Sequence, residues 1–110
     1  MDELLENIKE FLESGEENIK KKRYNAAISD FFKAIVIMCD YIIYDRIRVL
    51  PKNHTERFSL LNKYFPNTHS KVSILFKTYV KTYNLRLGIK EVIRVKEYAY
   101  QLKNSIKNKE

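Results

Sequence analysis

The segment from Tyr24 to Val49 contains neither glycine nor proline, and it limits the fold more than any other feature of this chain. Its second half, residues 35–44, is apolar on nearly every side and is interrupted only by Asp40. A helix that is apolar all round lies at the centre of a bundle or in a subunit interface. We therefore expect one long buried helix that ends before Pro51.

The rest of the chain has equally few residues that break helices. The 110 residues include two glycines and two prolines, whereas a sheet protein needs many more turn residues. Apolar residues recur every three to four positions, which is the period of an amphipathic helix. The sequence predicts an all-α, antiparallel up-and-down bundle of about five helices in a single domain, 1–110. The predicted helices cover 2–21, 24–49, 54–65, a stripe from Val72 to Tyr83 that follows a polar loop at 67–70, and 89–107.

Two single residues within these helices are unusual for their positions. Gly15 lies on the apolar stripe of the first helix, where it either lets a neighbouring helix approach closely or marks a bend. Asp40 is the one charged residue of the apolar stretch 34–44. A buried carboxylate needs a cation or hydrogen bonds. Asp40 therefore either faces solvent along a narrow strip or pairs with Arg86 or His54 inside the bundle.

The distribution of charge indicates a partner that carries negative charge. The formal net charge is +7, yet residues 1–19 contain seven acidic residues and one lysine, which places a net +13 on residues 20–110. Such a basic body attracts phosphates, although a lysine-rich surface that is only solvated has the same charge. The candidate binding residues are Lys71, Lys77, Lys81, Arg86, Lys90 and Arg94.

The sequence also predicts several absences. A single cysteine, Cys39, excludes an internal disulfide and a multi-cysteine zinc site. We expect no metal, no cofactor and no membrane span, because the longest apolar run is about half of the roughly 20 residues that a span requires. The acidic start, Met1 to Glu3, is unlike a secretory signal. We therefore expect a cytoplasmic protein.

Common catalytic motifs are missing as well. The sequence contains no glycine-rich phosphate loop, paired-histidine metal helix or nucleophile elbow. The two histidines, His54 and His69, stand where loops meet predicted helices, and an imidazole at such a place can act as an acid or a base. We interpret His69 as a surface residue.

A family resemblance rests on the order of several short segments. An aromatic-rich predicted helix contains residues 23–27 and 31–34. It is followed by a basic loop before histidine, Lys52-Asn53-His54, and by a short helix with the segment 60–65. Residues 83–86 and two further helices complete the order. In this order the chain resembles the HEPN superfamily (higher eukaryotes and prokaryotes nucleotide-binding domain) over about residues 4–107. The resemblance implies a dimeric helical bundle that acts beside a minimal nucleotidyltransferase in a toxin-antitoxin pair, or as a metal-independent endoribonuclease.

The ribonuclease branch of that family uses an arginine followed, after four to six residues, by a histidine. Arg48 and His54 have this spacing, and the resemblance makes Arg48 the phosphate-stabilising residue and His54 the residue for proton transfer. The pair departs from the family pattern, because Pro51 interrupts it and it precedes a short helix where the family places it on a late one. At the late position stands Arg86, without a following histidine.

We therefore predict a non-catalytic HEPN-like binding module that forms a homodimer and acts with a nucleotidyltransferase, a nucleotide or RNA. An endoribonuclease with Arg48 and His54 is one alternative. Residues 24–28 and 32–35 also resemble half of a tetratricopeptide repeat, so a protein-interaction scaffold is another, although no 34-residue period recurs. The apolar residues 35–43 place the predicted dimer interface at or near the second helix.

Overall fold

All regular structure in the computed structural model, which describes residues 2–107, is helical. The helices are α1 (Asp2–Lys20), α2 (Tyr24–Ile47), α3 (His54–Tyr64), α4 (Pro66–Lys81) and α5 (Ile89–Lys107). This confirms the predicted all-α bundle of five helices. The remainder of the predicted domain, Met1 and residues 108–110, lies outside the described residues.

The start of α4 differs from its predicted position. The polar residues 67–70 form the first turn of the helix, and the N–H of His69 donates to the carbonyl oxygen of Phe65 at 2.9 Å. Pro66 occupies the first helical position, where its missing N–H costs nothing because that donor would be unpaired anyway. The predicted loop at 67–70 is therefore wrong, and Phe65 alone joins α3 to α4.

Helix α2 is the centre of the bundle and contacts each of the other four helices. Ile35, Met38 and Ile43 are fully buried, and even Ile42 is only 8% exposed. Neighbouring helices of the same chain thus cover most of the apolar residues that suggested an interface on α2, while Val36, Ile37 and Tyr41 stay partly exposed. Although α2 is long and apolar, no helix within residues 2–107 has the combination of length and hydrophobicity that crossing a bilayer requires.

Helices α1 and α2 pack antiparallel at very close range. Asp30 accepts hydrogen bonds from Ser14 at 2.7 Å and from Asn18 at 2.8 Å. Between these contacts the ring of Phe31 lies against Gly15, and a Cβ at position 15 would stand 2.7–2.8 Å from three ring carbons. The close approach expected at Gly15 is confirmed, because only a residue without a side chain fits there.

Helix α3 runs in the same direction as α2, which differs from the antiparallel order predicted for consecutive helices. Arg57, near the start of α3, contacts Asp40, while Arg46, six residues further along α2, lies over the rings of Tyr64 and Phe65 at the other end of α3. The link 48–53 must therefore run back along α2, which six residues can do because extended chain spans about 3.3 Å per residue. This return places the first turn of α3 beside the middle of α2.

The link between α4 and α5 is fixed by one side chain of α2. The amide nitrogen of Asn25 donates to the carbonyl oxygens of Thr82 at 3.1 Å and Leu85 at 2.7 Å, and its oxygen accepts from the N–H of Leu87 at 3.0 Å. These bonds satisfy backbone groups that helix ends leave unpaired. Asn25 thereby holds the end of α4 and the start of α5 against the start of α2.

Candidate functional site

Asp40 lies inside the bundle and is paired with an arginine. Its two carboxylate oxygens accept from Nε of Arg57 at 2.6 Å and from Nη2 at 3.0 Å, and the side chains of Arg57 and Asp40 are 11% and 17% exposed. A two-pronged contact of this kind is the strongest that a carboxylate makes with a side chain. Of the two interpretations, pairing inside the bundle is correct, but its predicted partners are wrong: Arg86 is exposed on the α4–α5 link, and Arg57 lies between Asp40 and His54.

Arg57 also contacts His54, and this contact selects one tautomer of the imidazole. Its Nη1 lies 2.9 Å from Nδ1 of His54. A guanidinium has donors and no acceptor, so Nδ1 must accept this hydrogen bond and the histidine proton must lie on Nε2. Nε2 has no hydrogen-bond partner within residues 2–107. In this tautomer His54 keeps the Nε2–H group for a ligand.

These residues border a cavity between the first four helices. Its volume is about 420 Å³. It is lined by Phe11 of α1, by Phe32, Lys33, Val36 and Ile37 of α2, by Asn53, His54 and Arg57 at the start of α3, and by Tyr79 of α4. Most of these side chains are apolar, and the charged ones are basic. An aromatic and aliphatic wall with a few converging polar groups is the usual composition of a small-molecule site.

Arg48 is not part of this arrangement. It ends α2 in the left-handed conformation, with φ of 59°, and its exposed guanidinium lies 5.5 Å from the ring centre of Tyr44. It does not line the cavity that His54 borders. The arginine in contact with His54 is Arg57, so the spacing of Arg48 and His54 corresponds to no contact between the two side chains.

The six predicted binding residues all lie on the surface of α4, α5 and their link. The side chains of Lys71, Lys77, Lys81, Arg86, Lys90 and Arg94 are exposed and have no hydrogen bond, ion pair or ring contact within residues 2–107. We term them the α4–α5 basic surface. Lys71 and Arg94 line one groove between α4 and α5, whereas Arg94 and Lys90 line a second groove formed by α5 alone; Glu97 is the acidic residue in both. These grooves connect three of the six cations along one side of the molecule.

The other residues singled out in the sequence, Cys39 and His69, pack against neighbouring side chains of the bundle. Cys39 is completely buried, and burial together with the charge of Asp40 raises the pKa of its thiol to about 12. His69 packs edge-on against Phe58. Among residues 2–107, no three side chains of His, Cys, Asp or Glu are grouped as a metal ion would require.

Sequence reasoning missed Arg57, although a signal was present. Arg57 stands directly before Phe58 and four residues before Leu61, which puts it on the apolar face of α3. A basic residue on an apolar face needs a buried acidic partner, and Asp40 was already conspicuous. Comparison with known proteins adds no further assignment, because no family model, curated protein or solved structure matches this chain.

Proposed function

We propose that this chain is a non-catalytic module that binds RNA through the α4–α5 basic surface. The observation that carries the proposal is that all six cations are exposed and have no intramolecular partner within residues 2–107. Cations that are free in the unbound protein gain the most from phosphates, since binding releases the counterions condensed on the nucleic acid.

The position of the acidic residues supports the same surface. Glu3, Glu6, Glu10, Glu13 and Glu17 are exposed on α1. The negative charge is thus concentrated on a different helix from the six cations. Aliphatic side chains also lie among the cations: Ile74 is 58% exposed and Ile93 is 39% exposed. Such residues pack against nucleobases and riboses while the neighbouring lysines contact phosphates.

The HEPN resemblance supplies a biological setting for this proposal. In that setting the chain is a homodimer that acts with a minimal nucleotidyltransferase as a toxin-antitoxin pair. Because its own chain covers most of the apolar side chains of α2, we propose a dimer contact elsewhere. Five of the exposed large apolar residues fall within positions 80–93, and four of them, Val80, Tyr83, Leu85 and Ile89, lie at the α4–α5 link, which is where we place it. The packing does not favour a tetratricopeptide-like scaffold, because α2 is surrounded by helices and is not stacked in a row of helix pairs.

The test removes three cations from the proposed surface. We expect the triple variant Lys77→Gln/Lys81→Gln/Lys90→Gln to bind single-stranded RNA at least about tenfold more weakly than wild type at roughly 50 mM salt. Each lysine that is replaced removes one phosphate contact and the release of counterions that accompanies it. The log–log slope should fall by about 2, since each phosphate on a single strand contributes roughly 0.7. Fluorescence anisotropy across a salt series measures both quantities.

A matched control removes the same charge from other helices. Lys9→Gln/Lys20→Gln/Lys63→Gln changes the net charge equally at exposed positions on α1 and α3. Equal weakening in the two triple variants, or no binding by wild type at micromolar protein, would contradict the proposal.

The same RNA also tests the endoribonuclease alternative. The observation in favour of that alternative is the contact between His54 and Arg57 at an open cavity, with Nε2–H of His54 unpaired. We expect full-length RNA to persist in the presence of a chelator. Chelator-resistant cleavage that His54→Ala abolishes and His69→Ala does not would instead establish the enzyme.

A further inference from the structure

We infer that the cavity between α1, α2, α3 and α4 binds a small aromatic carboxylate, with the carboxylate at the first turn of α3 and the ring against α2. This site lies apart from the α4–α5 basic surface: the two sets of lining residues have no member in common. The inference therefore does not depend on RNA binding.

The charges at the cavity select an anion. Lys33, Arg57 and His54 line it, and none of the lining residues is acidic. Asp40 neutralises most of the charge of Arg57 but does not line the cavity itself. The cavity wall therefore has one uncompensated cation, Lys33, which suits a ligand with a single negative charge. The N-terminus of α3, whose first residues line the cavity, adds further positive potential there.

The donors needed for a carboxylate are present and unused. A guanidinium has five N–H groups, and Arg57 spends three of them on Asp40 and His54, which leaves two. His54 offers Nε2–H. Asn53 uses its side-chain oxygen to cap Glu56 N–H at 2.9 Å, so its amide nitrogen is free to donate. Together with Lys33 these groups exceed the four hydrogen bonds that a carboxylate accepts.

The apolar side chains that line the cavity select an apolar, flat body. Phe32 and Tyr79 are stacked, with ring centres 4.9 Å apart and planes at 14° to each other, and Val36, Ile37 and Phe11 complete the surface. The hydroxyl of Tyr79 is already hydrogen-bonded to Tyr83 at 3.0 Å.

These walls argue against a nucleotide or a sugar acid. A ribose or a polar base edge would bury several groups against side chains that offer no hydrogen bond, which costs about 1–3 kcal/mol for each. An aromatic ring with one carboxylate satisfies the cavity without leaving such groups unpaired. The volume of about 420 Å³ is within the range for sites that hold molecules of this size.

The first experiment uses three probes on the unmodified chain. Isothermal titration calorimetry measures the binding of 2-naphthoate, of its uncharged amide 2-naphthamide, and of AMP. We expect naphthoate to bind at least about tenfold more tightly than the amide, the ratio that a single charge-assisted contact supplies, and AMP to bind no more tightly than the amide. Equal binding of naphthoate and its amide, tighter binding of AMP, or no binding of naphthoate at millimolar concentration would overturn the inference.

The second experiment locates the site with variants that leave the core intact. Lys33→Gln should weaken naphthoate binding roughly fivefold to tenfold and leave the amide unaffected, whereas Lys9→Gln on the exposed side of α1 should change neither. Chemical-shift perturbations in amide NMR spectra should fall on residues 32–37 and 53–57. Perturbations centred on α5, or equal losses in the two lysine variants, would show that the cavity is not the site. RNA binding should be the same in both lysine variants, so the two proposals fail separately.

Discussion

At the scale of single residues, the contact between Asp40 and Arg57 shows how one polar pair can be essential yet replaceable. Removal of one partner strands the other charge among apolar groups, so we expect Arg57→Leu to lower the free energy of unfolding by about 3 kcal/mol or more. Replacement of both residues leaves no unpaired charge. The double variant Asp40→Leu/Arg57→Leu should therefore regain most of that loss, as measured by urea denaturation.

If the double variant lost as much free energy of unfolding as Asp40→Leu and Arg57→Leu lose in sum, the pairing would be contradicted.

The same pair shows what a sequence can and cannot reveal at this scale. Asp40 is conspicuous because everything around it is apolar. Its partner lies 17 residues away on another helix, and the return of the link 48–53 that brings the two together depends on tertiary packing, which no local pattern encodes.

At the scale of helices, the α1–α2 contact depends on the missing side chain of Gly15. An alanine there would favour the helix by about 1 kcal/mol, but its Cβ would meet the ring of Phe31 at 2.7–2.8 Å. Forcing extra atoms into a packed core costs about 1–3 kcal/mol. We therefore expect Gly15→Ala to lower stability by a net amount of about 1 kcal/mol, measured as a shift of the urea midpoint.

The control for this prediction shrinks the ring. In a Phe31→Leu background the clash disappears, so Gly15→Ala should become neutral or stabilising; a loss of the same size in both backgrounds would show that crowding by Phe31 is not the cause. Periodicity predicted five helices and placed Gly15 on an apolar stripe, where a close helix approach was one of two interpretations. It failed at residues 67–70, since their polar side chains resemble a loop while their backbone completes the first turn after Pro66.

At the scale of the whole molecule, two side chains with raised pKa values should make the folded protein less stable at alkaline pH. Burial raises the pKa of Cys39 from an ordinary 9.0 to about 12. Burial, followed by the hydrogen bond and charge of Glu16, raises the pKa of Tyr100 from 10.0 to about 12. The unfolded chain releases these protons at lower pH than the folded chain, so stability should fall as pH rises above roughly 9 to 10.

Urea midpoints recorded between pH 7 and 11 check this dependence. Tyr100→Phe removes one of the two groups, so the midpoint of this variant should fall less steeply above pH 10 than that of wild type. A steeper fall in the variant would show that Tyr100 does not titrate as its surroundings indicate. The replacement also removes the hydrogen bond from Tyr100 to Glu16, so the midpoint at neutral pH serves as the reference for each protein.

The central position of α2 has a consequence for cooperativity. Each of the other four helices contacts α2, and the core residues of α2 are shared among them. Loss of any one helix would expose apolar surface that the other helices cannot cover, so partial opening is nearly as costly as complete unfolding. The chain should therefore behave as a single folding unit, and the amide protons in the middle of α2 should exchange with solvent only when the entire domain opens.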